Sequence, residues 1–234
     1  MNIKWVKINP GRVFIGSNNR SILFGGIGPR HEINIDYEFE ISKYPVKISE
    51  SRELLLSEEF SVSSESEWAL AFKQNKIEGN NEIEKMSDKI RNSYWNKYCD
   101  GRAMIEDEWL INIGRKWDSG RLTSIEIGNQ DNSASHYRIV RKEIKVDYGP
   151  KSPKLPAYSS KKKIIFEEFV IALIIGIIPS FTWAYFNAKS GYISEGWLNL
   201  VFGGLFIGFF TILFWRPKTN SWVINENGSM TEKN

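Results

Sequence analysis

The stretches FVIALIIGIIPSFTWAYF (169–186) and WLNLVFGGLFIGFFTILFW (197–215) decide how the chain is laid out. Each is long enough for a helix rising about 1.5 Å per residue to cross a hydrocarbon core of roughly 30 Å. Neither holds a charged residue. The segment between them, Asn187 to Gly196, is too short for a domain. The reading is a two-helix transmembrane hairpin within residues 164–216, with the rest of the chain tethered to one face of a membrane.

Charge sets the expected direction. Lys151, Lys154, Lys161, Lys162 and Lys163 precede the first span, and Arg216 and Lys218 follow the second. Short flanks rich in Lys and Arg stay cytoplasmic, so both termini are expected there, at the cell membrane. Trp183, Tyr185, Trp197 and Trp215 fit interfacial aromatic belts. Glu167 and Glu168 are expected to stay at the water interface beside the lysines, because a carboxylate in hydrocarbon is costly. Pro179-Ser180 should kink the first helix. Gly204 and Gly208 form a G-x-x-x-G, a spacing that lets helices approach closely. It serves either packing of the two spans or association with a second copy or partner. No ionisable residue lies deep in either span, which argues against a transporter or channel.

The remaining composition narrows the class. A formal net charge of +3, with no basic stripe interleaved with aromatics, excludes a nucleic-acid partner. The lysines by the membrane fit the topology rule or anionic lipid. Cys99 is the one cysteine, so no intrachain disulfide forms, as suits a reducing side. The start, Met1 to Trp5, has no apolar run of signal-peptide type. The expected organisation is a soluble domain (1–146), a Pro- and Lys-rich linker (147–163), the hairpin, and a polar tail (217–234) whose end is disordered.

Along the soluble part, Trp5 to Ile8 alternates and meets the turn Asn9-Pro10-Gly11, with Arg12 to Gly16 expected as the second strand of a hairpin. Glu32 to Asp36 and Glu38 to Ser42 alternate as strands with one buried face. The glycines Gly25, Gly26 and Gly28 are not followed by G-K-[ST], so they do not make a phosphate loop. Ser49 is expected to cap a short helix carrying Leu54, Leu55 and Leu56. Ser64, with Glu67 three residues on, is a capping box opening a helix whose face holds Trp68, Ala71, Phe72 and Asn75. Residues 79–92 place Ile83, Met86 and Ile90 at helical spacing, as a surface helix.

Several phrases in order resemble the sulfatase-modifying-factor family, the domain of formylglycine-generating enzymes. They are Phe14-Ile15-Gly16, then Pro29-Arg30-His31-Glu32-Ile33-Asn34-Ile35, then Phe39 to Lys47. The helix phrase Val62-Ser63-Ser64-Glu65-Ser66-Glu67-Trp68-Ala69-Leu70-Ala71 follows, and His136-Tyr137-Arg138-Ile139-Val140-Arg141 closes the series. Tyr94-Trp95 and Cys99 to Arg102 are similar to compact, archaeal-type members. The resemblance implies an α+β, C-type-lectin-like fold with much irregular structure and little regular sheet.

The family's active members bind copper through two cysteines, soft ligands suited to Cu(I). This chain has only Cys99 and nothing like the R-G-G-S stretch before His136, so copper is not expected. The two histidines, His31 and His136, do not supply the His-rich iron site of related sulfoxide synthases. Cys99 is a candidate nucleophile or, more simply, a small buried hydrophobe. Candidate binding residues are His31, Asp100, Arg102 and Trp109, set against structural roles. Glu106, Asp107 and Glu108 read as a solvated acidic face. Asn129 and Asp131 lie in an oxygen-rich run that is a candidate Ca²⁺ site, though it lacks regular ligand spacing. Glu65 and Glu67 are accounted for by helix-start electrostatics. The expected function is a membrane-anchored, non-catalytic pseudoenzyme that binds a protein partner or forms a homo-oligomer at the lipid bilayer. The competing expectation is a divergent oxidoreductase using Cys99 with a ligand supplied by a partner.

Overall fold

The computed structural model describes residues 3–90, 93–105, 111–118, 121–128, 133–142, 146, 148 and 152–233. The chain divides into two units. One comprises residues up to Ser17, Ile27–Ala157 and the segment from Asn220; the other comprises Asn18–Gly26 and Tyr158–Thr219.

The first unit is mixed α+β. One sheet has the order β1 (Trp5–Ile8), β4 (Phe39–Ser42), β11 (Ile139–Arg141), β6 (Phe60–Val62), all antiparallel. A second has β5 (Val46–Lys47), β10 (His136–Tyr137), β7 (Ile83–Lys89), β8 (Ile111–Asp118), β9 (Arg121–Gly128). A third has β13 (Met230–Lys233), β12 (Ser221–Ile224), β3 (His31–Ile35), β2 (Gly11–Ile15). The described sheet content therefore exceeds the little that the family resemblance implies. A short helix α1 (Ile48–Ser51) leads to a single 3₁₀ turn at Leu54–Leu56, and the main helix is α2 (Glu65–Lys73). Alternation supplies the core: Ile8, Val13, Ile15, Ile33, Ile35, Phe39 and Ile41 point inward and pack with Trp68, Leu70 and Met86.

The capping box is present in full. Ser64 accepts from the Glu67 amide, and the Glu67 carboxylate accepts from the Ser64 amide. Ser64 Oγ also donates to the Gly101 carbonyl at 2.6 Å, so the start of α2 is fastened to the loop beyond β7. Trp68 and Ala71 are buried on this helix, whereas Phe72 stays partly exposed against Trp117.

Four local expectations change. The strands either side of Asn9-Pro10-Gly11 are not hairpin partners: β1 pairs β4 and β2 pairs β3, in different sheets. The Gln74 side chain bonds both the amide and the carbonyl of Asn9, so this segment is a corner pinned by the end of α2. Residues 83–89 are a strand and not a surface helix. Its inward positions are Glu84, Met86 and Asp88, and two of those three are charged, which hides the two-residue period behind a three-residue one. The expected linker is partly docked. Leu155 is buried, and the carbonyls of Pro153 and Pro156 accept from the Cys99 and Asn96 amides. The polar tail is an ordered hairpin, β12–β13, whose Trp222 pairs in parallel with His31 and packs edge-on against Trp95. Polar residues alternate there with Trp222, Ile224 and Met230, which meet the core.

The second unit holds two helices long and apolar enough to cross a membrane, Lys161–Asn187 and Tyr192–Phe214. The first begins earlier than its apolar run, because Ser160 caps it by accepting from the Lys163 amide. Pro179 has no N–H to give, and the helix widens into π turns over Ala172–Ile177 just before it. The glycine pair is used between the two apolar helices. A Cβ on Gly204 would lie 2.6 Å from Ile177 Cα, and one on Gly208 2.6 Å from Ala172 Cα. Glu167 pairs with Arg20 at 2.6 Å and Glu168 with Arg216 at 2.9 Å.

Candidate functional site

Of the described residues singled out in the sequence, Cys99 and His31 lie in the buried interior. Cys99 is fully buried, its amide donating to Pro153 and its carbonyl accepting from Asn34. Burial pushes its thiol up to about 12, so the thiolate needed for nucleophilic or metal chemistry is scarce near neutral pH. His31 is also fully buried. Its Nδ1 lies 2.8 Å from the Pro29 carbonyl, the geometry of an N–H donor, and its ring rests 5.1 Å from Tyr94. Burial outweighs that hydrogen bond and lowers its pKa to about 3, so the ring stays neutral. Trp109, Asn129 and Asp131 lie outside the described residues. Among the described residues no group of three or more His, Cys, Asp or Glu could hold a metal ion.

Asp100 and Arg102 do meet. Arg102 Nε lies 2.9 Å and Nη2 2.5 Å from Asp100 Oδ2. The same guanidinium sits over the Tyr98 ring at 4.0 Å and over Tyr148 at 4.6 Å. Its Nη2 also donates to the Tyr148 carbonyl and to Ser152. Lys154 lies over the other partner ring, Tyr98, at 4.5 Å. Tyr148 continues the cluster, edge-on to Tyr37 at 6.0 Å. Tyr37 donates to Glu67 at 2.7 Å, and Lys142 pairs with the same carboxylate at 2.7 Å. Burial raises the Tyr37 pKa far out of range, with Glu67 adding to it, so the phenol keeps its proton. Burial works against the Lys142 charge, but Glu67 and Tyr148 outweigh it and hold its pKa above the usual lysine value.

The result is a face of three tyrosines and three cations, Arg102, Lys142 and Lys154, with Asp100 and Glu67 beneath. Arg102 and Lys142 are partly exposed and Lys154 is exposed. A guanidinium held between two phenol rings is rigid, and aromatic–cation surfaces of this kind recognise partner carboxylates, phosphates and carbonyls. Sequence reasoning found only Asp100 and Arg102. Tyr37, Tyr98, Lys142, Tyr148 and Lys154 come from distant loops, and no spacing links them. The one local signal is Tyr98 four residues before Arg102.

Behind this face lies a buried ionic layer. Glu65 takes hydrogen bonds from Arg115 and from Tyr94, the latter at 2.5 Å. Asp88 pairs with Lys97 at 2.5 Å and accepts from the Glu65 and Met104 amides. Every one of these carboxylates has a cationic or backbone partner, as buried charges require. Glu65 and Glu67 therefore do more than favour a helix start: they are ties to β8 and to the tyrosine cluster.

No protein-family model and no curated protein sequence matches the chain. Among solved structures, one entitled "Structure of PvdO from Pseudomonas aeruginosa" is similar at 13% identity and a TM-score of 0.41, covering 59% of this chain and 94% of that one.

Proposed function

We propose that the chain is a membrane-anchored, non-catalytic binding module with a sulfatase-modifying-factor-type, C-type-lectin-like soluble part, acting at the cytoplasmic face of the cell membrane. The observation that carries this reading is the Tyr98–Arg102–Tyr148 stack, a rigid and partly exposed aromatic–cation face on a unit whose thiol is buried. The anchor is supported by the two apolar helices. A shared side for both flanks of the hairpin is supported by β12, which follows the spans in sequence yet pairs with β3, which precedes them. The lysine-rich flanks favour the cytoplasmic side. The face suits a protein partner presenting carboxylates.

A photo-crosslinker placed at the exposed Lys154, in full-length protein in its native membrane, tests this. A discrete protein adduct should form, disappear in Arg102→Ala and persist in Cys99→Ser. An adduct indifferent to Arg102→Ala would overturn the reading. Stoichiometric copper or iron in the purified protein, lost in Cys99→Ser, would instead favour the oxidoreductase.

A further inference from the structure

The chain leaves the first unit after Ser17 and returns at Ile27, and the excursion belongs with the apolar helices. Its tip, Ile22-Leu23-Phe24, exposes three large apolar side chains at 60%, 56% and 68%. In water such a tip is unfavourable and unexplained. Its surroundings point to a different solvent. The Leu23 amide donates to the Leu213 carbonyl at 2.9 Å, closing one of the carbonyls left open at the end of the second span. The Phe24 ring lies 6.2 Å from Phe214. The tip is therefore level with the last apolar turn of that span, just short of Trp215.

Several polar groups of the excursion are paired within its own turn. The Gly25 amide donates to Ser21, the Gly26 amide to Asn19, and the Ser21 amide to the Asn19 side chain, which itself donates to the Phe24 carbonyl. Gly25 has no room for a Cβ against the Ser21 carbonyl, so the turn is tight. Internal pairing of backbone groups is what a segment entering hydrocarbon requires. The charges at its base are paired as well. Arg20 meets Glu167 at 2.6 Å and the Pro217 carbonyl, and Arg216 meets Glu168 and the Arg20 carbonyl. Thr219 closes the base on Asn18.

We propose that Ser21–Phe24 is a third membrane element, a wedge that buries Ile22, Leu23 and Phe24 among the acyl chains of the leaflet where the second span ends. This rests on the hairpin crossing the bilayer. The Arg20–Glu167 and Arg216–Glu168 pairs then lie at the headgroup boundary and fix the wedge to both spans. The wedge holds no catalytic group; it anchors.

Full-length protein carrying an environment-sensitive fluorophore on Phe24→Cys, and separately on Ile22→Cys, is reconstituted into phosphatidylcholine–phosphatidylglycerol vesicles with lipids brominated at shallow depth. The same label on Phe210→Cys reports the span, and on Leu56→Cys reports water; unaltered protein, with Cys99 buried, serves as the labelling blank. Emission at positions 22, 24 and 210 should fall while position 56 is unaffected. Quenching at 210 without quenching at 22 and 24 overturns the wedge and leaves the hairpin standing. Quenching at none of the three overturns the hairpin and the wedge together.

Discussion

Arg138 and Glu84 form an ion pair from which water is excluded on both sides. Arg138 Nε donates to Glu84 Oε2 at 2.9 Å, and neither side chain has exposed surface. Glu84 also accepts from the Trp68 indole at 2.9 Å and the Trp117 indole at 2.5 Å. Arg138 gives its remaining protons to the carbonyls of Ser42, Lys43 and Glu78. One pair thus joins α2, β7, β8 and the ends of β4 and β11.

Glu84→Gln keeps the shape and removes the charge, leaving a buried guanidinium uncompensated. Loss of one partner of such a pair costs about 3–5 kcal/mol. Urea unfolding followed by tryptophan emission should show that loss. Equal stability of Glu84→Gln and the parent would sink the account.

His31 makes stability depend on pH in a defined window. Folded, it stays neutral down to about 3; an exposed histidine takes a proton at about 6.5. Between these values the unfolded chain binds the extra proton. Stability is therefore full above 6.5 and falls as the pH drops through that window. From pH 7 to 5 this one group removes about 2 kcal/mol, at about 1.4 kcal/mol per unit. His31→Gln should shrink the pH 7-to-5 loss by that amount. Identical pH profiles for the two proteins would count against it.

Neighbouring glycines in the second span should respond with opposite signs. A Cβ at Gly203 meets nothing within 4 Å, so Gly203→Ala gains up to about 1 kcal/mol of helix propensity. Gly204→Ala forces its methyl into the backbone of Ile177 and should lose about 1–3 kcal/mol. Thermal unfolding in one detergent reads both. Two variants of equal stability would mean the spans do not pack through Gly204.

Trp222→Ala removes a partly buried ring that sits 5.9 Å from Trp95 and packs against the core. It should cost about 1–3 kcal/mol, less than the truncation of a fully buried aromatic. The observable is the urea midpoint, with the exposed Tyr158→Ala as the neutral comparison. A midpoint shift no larger than that of Tyr158→Ala would mean β12 contributes little.

The apolar spans, the Ser64–Glu67 capping box and most short strands could be read from the sequence because each signal is local: a long uncharged run, a residue pair three apart, an alternation. What escaped was set at a distance. β7 carries Glu84 and Asp88 where a strand usually buries Val or Ile, and their partners Arg138 and Lys97 cannot be paired with them by spacing. The tail looked free because Trp222 finds Trp95 and β3 only through the fold. The tyrosine–cation face draws Tyr37, Tyr98 and Tyr148 from three loops, each an ordinary surface residue in its own neighbourhood.

The pairing of β12 with β3 also imposes an order on synthesis. When the ribosome has finished the whole of residues 27–157, Asn34 of β3 can already meet Cys99, but the neighbour that β3 takes at His31, β12, lies beyond both apolar helices. The third sheet can close only after those helices have been made and disposed of. A nascent chain whose helices stall holds β12 away from His31, so completion of the sheet waits on the helices.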